Sequence, residues 1–221
     1  MVSTAEFIGF VVPACVGALT VDSPGTVAIP ALLAAGVIEG GVLGAGQAMV
    51  LRRALPQLRP ARWIAATAAG ALLAYIIGLA PSTFVAVWSG WPVGLTAPVG
   101  IALGVALLCT IGVTQWTVLR RLVRRAGRWV VATAVAWLAG LAVFLGFVTP
   151  LWQPGQPLPV IVAIGVGGGL LMAVTMAAVT GMALRRLLPE GSTDPGTGSA
   201  VSPVASDQHV FATAPVAKRP A

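Results

Sequence analysis

Six stretches of this chain are apolar for long enough to approach or cross a lipid bilayer, and that limits its fold more than any other feature. A hydrocarbon core about 30 Å thick takes about 20 residues of helix at about 1.5 Å each. The runs lie at roughly 7–21, 26–51, 63–80, 94–119, 129–148 and 158–184, and the first is short and contains Pro13. Turn chemistry separates them: Asp22-Ser23-Pro24-Gly25, then proline-bracketed segments at 56–60, 81–92 and 150–157. Only 9% of the residues are charged and 57% are hydrophobic. A soluble domain carries about 25% charged residues. The expected fold is therefore an all-α membrane protein with six transmembrane helices over residues 1–188.

The arginines set the expected orientation. Arg52, Arg53, Arg59 and Arg62 lie between the second and third runs. Arg120, Arg121, Arg124, Arg125 and Arg128 lie between the fourth and fifth, and Arg185 and Arg186 follow the sixth. The three opposite connections hold no Lys or Arg. Basic residues are retained on the cytoplasmic side, so both termini are expected inside, in a bacterial plasma membrane. The dominance of arginine over lysine and the abundance of Ala, Gly and Val fit a high-GC bacterial source. The net charge of +7 sits at helix ends rather than on one polar face, which speaks against nucleic acid as a partner. Trp63, Trp116 and Trp129 lie near the arginines, and Trp88, Trp91 and Trp152 in the opposite connections. That is the pattern of two interfacial belts, with Trp137 alone expected deep.

The second and fourth runs align without a gap. Pro30 falls on Pro98, Gly36 on Gly104 and Gly44 on Gly112. Gln47-Ala48-Met49-Val50-Leu51-Arg52-Arg53 falls on Gln115-Trp116-Thr117-Val118-Leu119-Arg120-Arg121. The next runs open alike, with Arg62-Trp63 and Arg128-Trp129. The sixth run fits more weakly, through Gly169 and Leu184-Arg185-Arg186, with Thr180 where the glutamines stand. This internal repeat predicts three tandem helical hairpins related in parallel. Gly36, Gly40, Gly44 and Gln47 share one helix face. Equivalent small-residue faces on the fourth and sixth runs predict that the even-numbered spans meet near the middle of the bundle. In its Gln-x-x-Val-Leu-Arg-Arg helix ends and following Trp-led starts, over roughly 26–186, the chain resembles a group of bacterial multi-pass membrane proteins with no established activity. The resemblance implies topology and supplies no catalytic residues.

Glu39 is the unusual residue. It lies about 13 residues, roughly 20 Å, from Arg52, near the middle of its span. An acid at that depth is costly when charged and often marks function. Two readings follow: a proton, cation or polar-ligand site, or a neutral acid bonded to a neighbouring carbonyl or threonine. Glu39, Gln47, Gln115 and Thr180 form the candidate intramembrane polar site, and a Gln47–Gln115 bond between helices is the plainer reading of that pair. Thr67 and Thr133 are expected to bond back to their own helices. Arg52, Arg53, Arg120, Arg121, Arg185 and Arg186 are the expected contacts to anionic lipid headgroups.

Catalytic patterns are missing from the sequence. The single histidine, His209, lies in a Pro/Ser/Thr/Gly/Ala-rich segment at 189–221, expected to be a disordered cytoplasmic tail. Cys15, Cys109 and His209 make no metal-ligand set, and Cys15 follows no basic leader that would mark a lipoprotein. Gly165 to Gly169 lies inside a span with no strand before it, a poor phosphate loop. No enzyme activity and no cofactor are expected. The expected function is that of a non-catalytic accessory, scaffold or lipid-interacting protein, with a membrane-protein partner or a second copy as a further contact. The alternative is a small transporter or channel working through Glu39.

Overall fold

Each apolar run forms a helix, because in lipid a segment must satisfy its backbone N–H and C=O groups internally. The computed structural model describes residues 2–187, with side chains described at residue 9 and from residue 11 onward. In chain order the helices are α1 (Val2–Thr20), α2 (Gly25–Ala54), α3 (Pro60–Thr83), α4 (Val85–Trp88), α5 (Val93–Leu119), α6 (Gly127–Leu151) and α7 (Leu158–Leu187). No strand occurs among the described residues. The segment at 189–221, with His209, Lys218 and Arg219, lies outside them. Helices α2, α3, α5, α6 and α7 are each long and apolar enough to cross a membrane. They point to a multi-pass membrane protein. The apolar part of α1 among the described residues, Val11–Thr20, is shorter.

Proline and small polar devices mark the helix boundaries. Pro24 and Pro92 stand in extended backbone just before α2 and α5. Pro60 opens α3, where its missing N–H costs nothing. Between α6 and α7, Gly155 takes a positive φ of 82°. Gln156 closes that turn: its Oε1 accepts the Gln153 N–H at 3.0 Å and its Nε2 donates to the Leu151 carbonyl at 2.9 Å.

Packing follows the chain. Helix α1 lies against α2, α2 against α3, α3 against α5, α5 against α6, α6 against α7, and α7 returns to α1. This corrects the expected placement of the even-numbered spans, which correspond to α2, α5 and α7. The glycine face of α2 is taken up by α3 instead. A Cβ on Gly36 would stand 2.5 Å from the Tyr75 ring, one on Gly40 2.6 Å from Ala71 Cβ, and one on Gly44 3.0 Å from the Ile64 backbone. Backbones joined by a short connection lie side by side, and a row of glycines lets them approach until ring and backbone touch. Gly112 of α5 meets α6 in the manner of Gly44 against α3, at Val130 and Thr133. Gly140 of α6 sits beneath Met172 and Met176 of α7. Gly100, Gly104 and Gly165, by contrast, face open space.

The apolar core gathers at the arginine end. Ala48, Leu51, Leu55, Leu58, Trp63, Leu119, Ala126 and Trp129 form one buried cluster. Leu55, Leu58 and Ala126 come from the connections rather than the spans, so those connections fold inward beneath the arginines.

Candidate functional site

Two polar layers lie inside this apolar bundle, at different heights. The lower one is at the arginine end and is built on Gln115. Its amide nitrogen donates to Gln47 Oε1 at 2.7 Å and to Thr67 Oγ1 at 3.0 Å, and its amide oxygen accepts the Trp129 indole N–H at 2.7 Å. The Trp63 indole donates to Gln47 Oε1 at 3.3 Å, and the Thr67 hydroxyl donates to the Trp63 carbonyl at 2.9 Å. Gln115, Thr67 and Trp63 are fully buried. The two indoles meet edge to face, with centroids 6.0 Å apart. Every polar atom of the Gln115 amide is thus engaged, which is the condition under which a buried polar network is favourable.

Trp63 and Trp129 are therefore not the lipid-facing anchors that their positions near the arginines predict. They turn inward and orient the glutamines. Trp116 does remain at the rim, with the Arg120 guanidinium 4.8 Å from its ring centroid.

Helix α7 does not join this layer. Thr180 hydrogen-bonds back to the Met176 carbonyl at 2.7 Å. Thr67 finds Gln115, but Thr133, which aligns with Thr67, is buried with its hydroxyl unpartnered. The cause lies in the sequence. The repeat sets Thr180 where Gln115 stands, and Thr180 bonds to its own helix instead of to Thr133.

The upper layer is Glu39 and Tyr75. The Tyr75 hydroxyl donates to Glu39 Oε2 at 2.8 Å. Glu39 is buried, and Gly9 of α1 backs it so closely that a Cβ there would stand 3.4 Å from Glu39 Cγ. Both residues line a cavity of about 330 Å³ between α2, α3, α5 and α6. Apart from Glu39, Tyr75 and Trp137, its lining is aliphatic or glycine. Leu43 and Ile111 belong to its wall and precede Gln47 and Gln115 by one helical turn, about 6 Å. The glutamine layer thus lies directly beneath the cavity on the arginine side. Of the four residues expected to share one polar site, Gln47 and Gln115 come together, Glu39 pairs with Tyr75 a level above, and Thr180 stays apart.

Arginines from different connections line two clefts at the helix ends. One, of about 640 Å³, brings Arg124, Arg125 and Arg128 together with Arg186 over Leu122 and Leu187. The other, of about 550 Å³, brings Arg59 and Arg62 together with Arg120 and Arg121 over Ala65, Ala66 and Val118. Arg52 and Arg53 line a third groove with Met49, Pro56 and Pro60. All of these arginines are exposed. Arg59, Arg62, Arg124, Arg125 and Arg128 line these clefts beside the arginines singled out in the sequence. The signal for them was the clustering of arginine on both sides of each connection. Among the described side chains, no group of His, Cys, Asp and Glu is placed to hold a metal ion.

No protein-family model, curated protein or solved structure matches this chain.

Proposed function

We propose that this protein is a non-catalytic, lipid-interacting bundle of the bacterial plasma membrane, with six spans in three tandem hairpins and its arginine ends in the cytoplasm. The observation that carries the reading is the pair of arginine-lined clefts. Each sets basic groups over an apolar floor, the shape offered to a phosphate headgroup with an acyl chain below it. The described carboxylates are Asp22, in the opposite connection, and Glu39, midway along α2. Neither is placed to neutralise these arginines, and an anionic headgroup is a fitting counter-charge for them. The hairpin reading is supported by the matched seams, Gly44 on Ile64 and Thr67, and Gly112 on Val130 and Thr133.

The test is lipid retention. Protein purified from membranes is washed in detergent, and its bound lipids are counted by native mass spectrometry. Phosphatidylglycerol and cardiolipin should stay bound after phosphatidylethanolamine has left. Each basic contact at an anionic surface contributes about 1 kcal/mol, so replacing Arg124, Arg125 and Arg128 together with Gln should weaken anionic-lipid binding by roughly a hundredfold. Equal retention of zwitterionic and anionic lipid would sink the reading. A second reading, a small transporter or channel, draws on the cavity at Glu39. The bonded glutamine layer beneath that cavity weighs against it.

A further inference from the structure

We infer that the Glu39–Tyr75 cavity is a binding site for a small hydrophobic amine in its cationic form. The inference does not depend on the lipid clefts, which lie at the arginine end.

Three features of the cavity select this class of ligand. The first is its size: about 330 Å³ lies at the small end of known ligand sites, enough for a single cage-like or monocyclic hydrocarbon. The second is its lining. Leu43, Leu79, Leu107 and Ile111 supply aliphatic wall, and Gly78 adds no side chain to it. A strongly hydrated ion would lose its water there with almost nothing to replace it. The third is the placement of the polar groups. Glu39 and Tyr75 both line the cavity, and Tyr75 holds one carboxyl oxygen at 2.8 Å, fixing its direction. The rings of Tyr75 and Trp137 share the lining with it. A carboxyl group with two aromatic residues in the same lining is a combination that recognises an ammonium group. No Lys or Arg lines the cavity, so a cationic ligand would bring the charge that Glu39 lacks nearby.

The floor of the site supports a bound ligand over a passing one. Gln47, Gln115 and Thr67 are bonded to one another one turn below, so the cavity ends there. Entry would be from the far end of the bundle or between helices.

The experiment uses the full chain in nanodiscs. Radiolabelled adamantylamine is equilibrated with loaded and empty discs, and the neutral analogue adamantanol is run in parallel. Saturable binding of the amine at one site per chain is expected, with adamantanol at least tenfold weaker. Glu39→Gln keeps the size of the side chain and an oxygen for Tyr75, and should weaken amine binding at least tenfold. Ala74→Phe fills the cavity from the α3 side while keeping the Glu39 carboxyl in the chain, and should abolish binding of both compounds. It keeps the test decisive even where Glu39→Gln fails to assemble. Equal binding of the two compounds, amine binding unchanged by Glu39→Gln, or binding that survives Ala74→Phe would each overturn the assignment.

Discussion

The arginine end and the far end of the bundle are built from the same residue types but held in different ways. At the arginine end, Leu51, Leu119, Trp63 and Trp129 are buried, and a closed set of hydrogen bonds ties α2, α3, α5 and α6 together. Toward the far end, Ile101 of α5 and Leu158 of α7 are about seven-tenths exposed, and Gly100, Gly104 and Gly165 have no neighbour against them. In water this contrast would mean a folded half and a half-unfolded one. In lipid it does not, because acyl chains are as apolar as leucine and exposure carries no hydrophobic penalty. What separates the ends is directionality. A closed set of hydrogen bonds fixes one end, while above it the helices leave a cavity.

The largest break in this contrast should come from Gln115. Gln115→Ala strands the Trp129 indole donor and removes the link to Gln47 and Thr67, all in a buried setting. A loss of roughly 3 kcal/mol is expected, read as an earlier midpoint on titration from mild detergent into sodium dodecyl sulfate. Thr96→Ala at the far end serves as its partner experiment. That exposed hydroxyl bonds only its own helix, so the midpoint should stay within about 0.5 kcal/mol of the parent. Similar losses at both positions would erase the distinction.

Glycine gives a sharper and somewhat smaller test. Gly112→Val places a branched side chain where the Cβ alone would be 2.9 Å from the Val130 backbone. About 2 kcal/mol of overpacking strain is expected. The same change at Gly104, two turns away on the same helix, meets nothing within 4 Å and should be close to neutral. If Gly104→Val also destabilises, something outside the described chain covers that face.

The smallest predicted effects are opposite in sign within one chemical change. Thr67→Val removes a hydroxyl that accepts from Gln115 and should cost about 1 kcal/mol. Thr133→Val removes a buried hydroxyl that has no partner and should stabilise by about the same amount. Agreement in sign between the two would show that Thr133 has a partner after all, such as a bound water.

Much of this architecture is legible in the sequence. The apolar runs coincide with helices to within a few residues at most ends, and the alignment of Gln47 with Gln115 anticipates that they share a level. Other features escape for identifiable reasons. A tryptophan's distance from a helix end gives its depth but not the side it faces, so Trp63 and Trp129 read as anchors when they are donors. A stripe of glycines shows that some helix comes close without saying which. The α2 stripe went to α3 because the connection at 55–59 is short and its Leu55 and Leu58 are buried. Tyr75 was missed as the partner of Glu39 because it sits in an unbroken apolar run. A depth argument would have found it: Tyr75 lies about as far from Trp63 as Glu39 lies from Arg52, and it is the only tyrosine in the chain.

The donor order at Gln115 has a consequence for assembly. Helical hairpins enter a bilayer before they associate, and greasy faces alone would let two of them dock at several registers. The amide chain tolerates only one. A register shift of α5 by a single residue against α2 would move the Gln115 position through about 100° around the helix and strand the Trp129 indole hydrogen and the Gln115 carboxamide. Such a bonded layer favours one register between α2 and α5, whereas α7, which carries Thr180 at the matching position, has no such bond to align it.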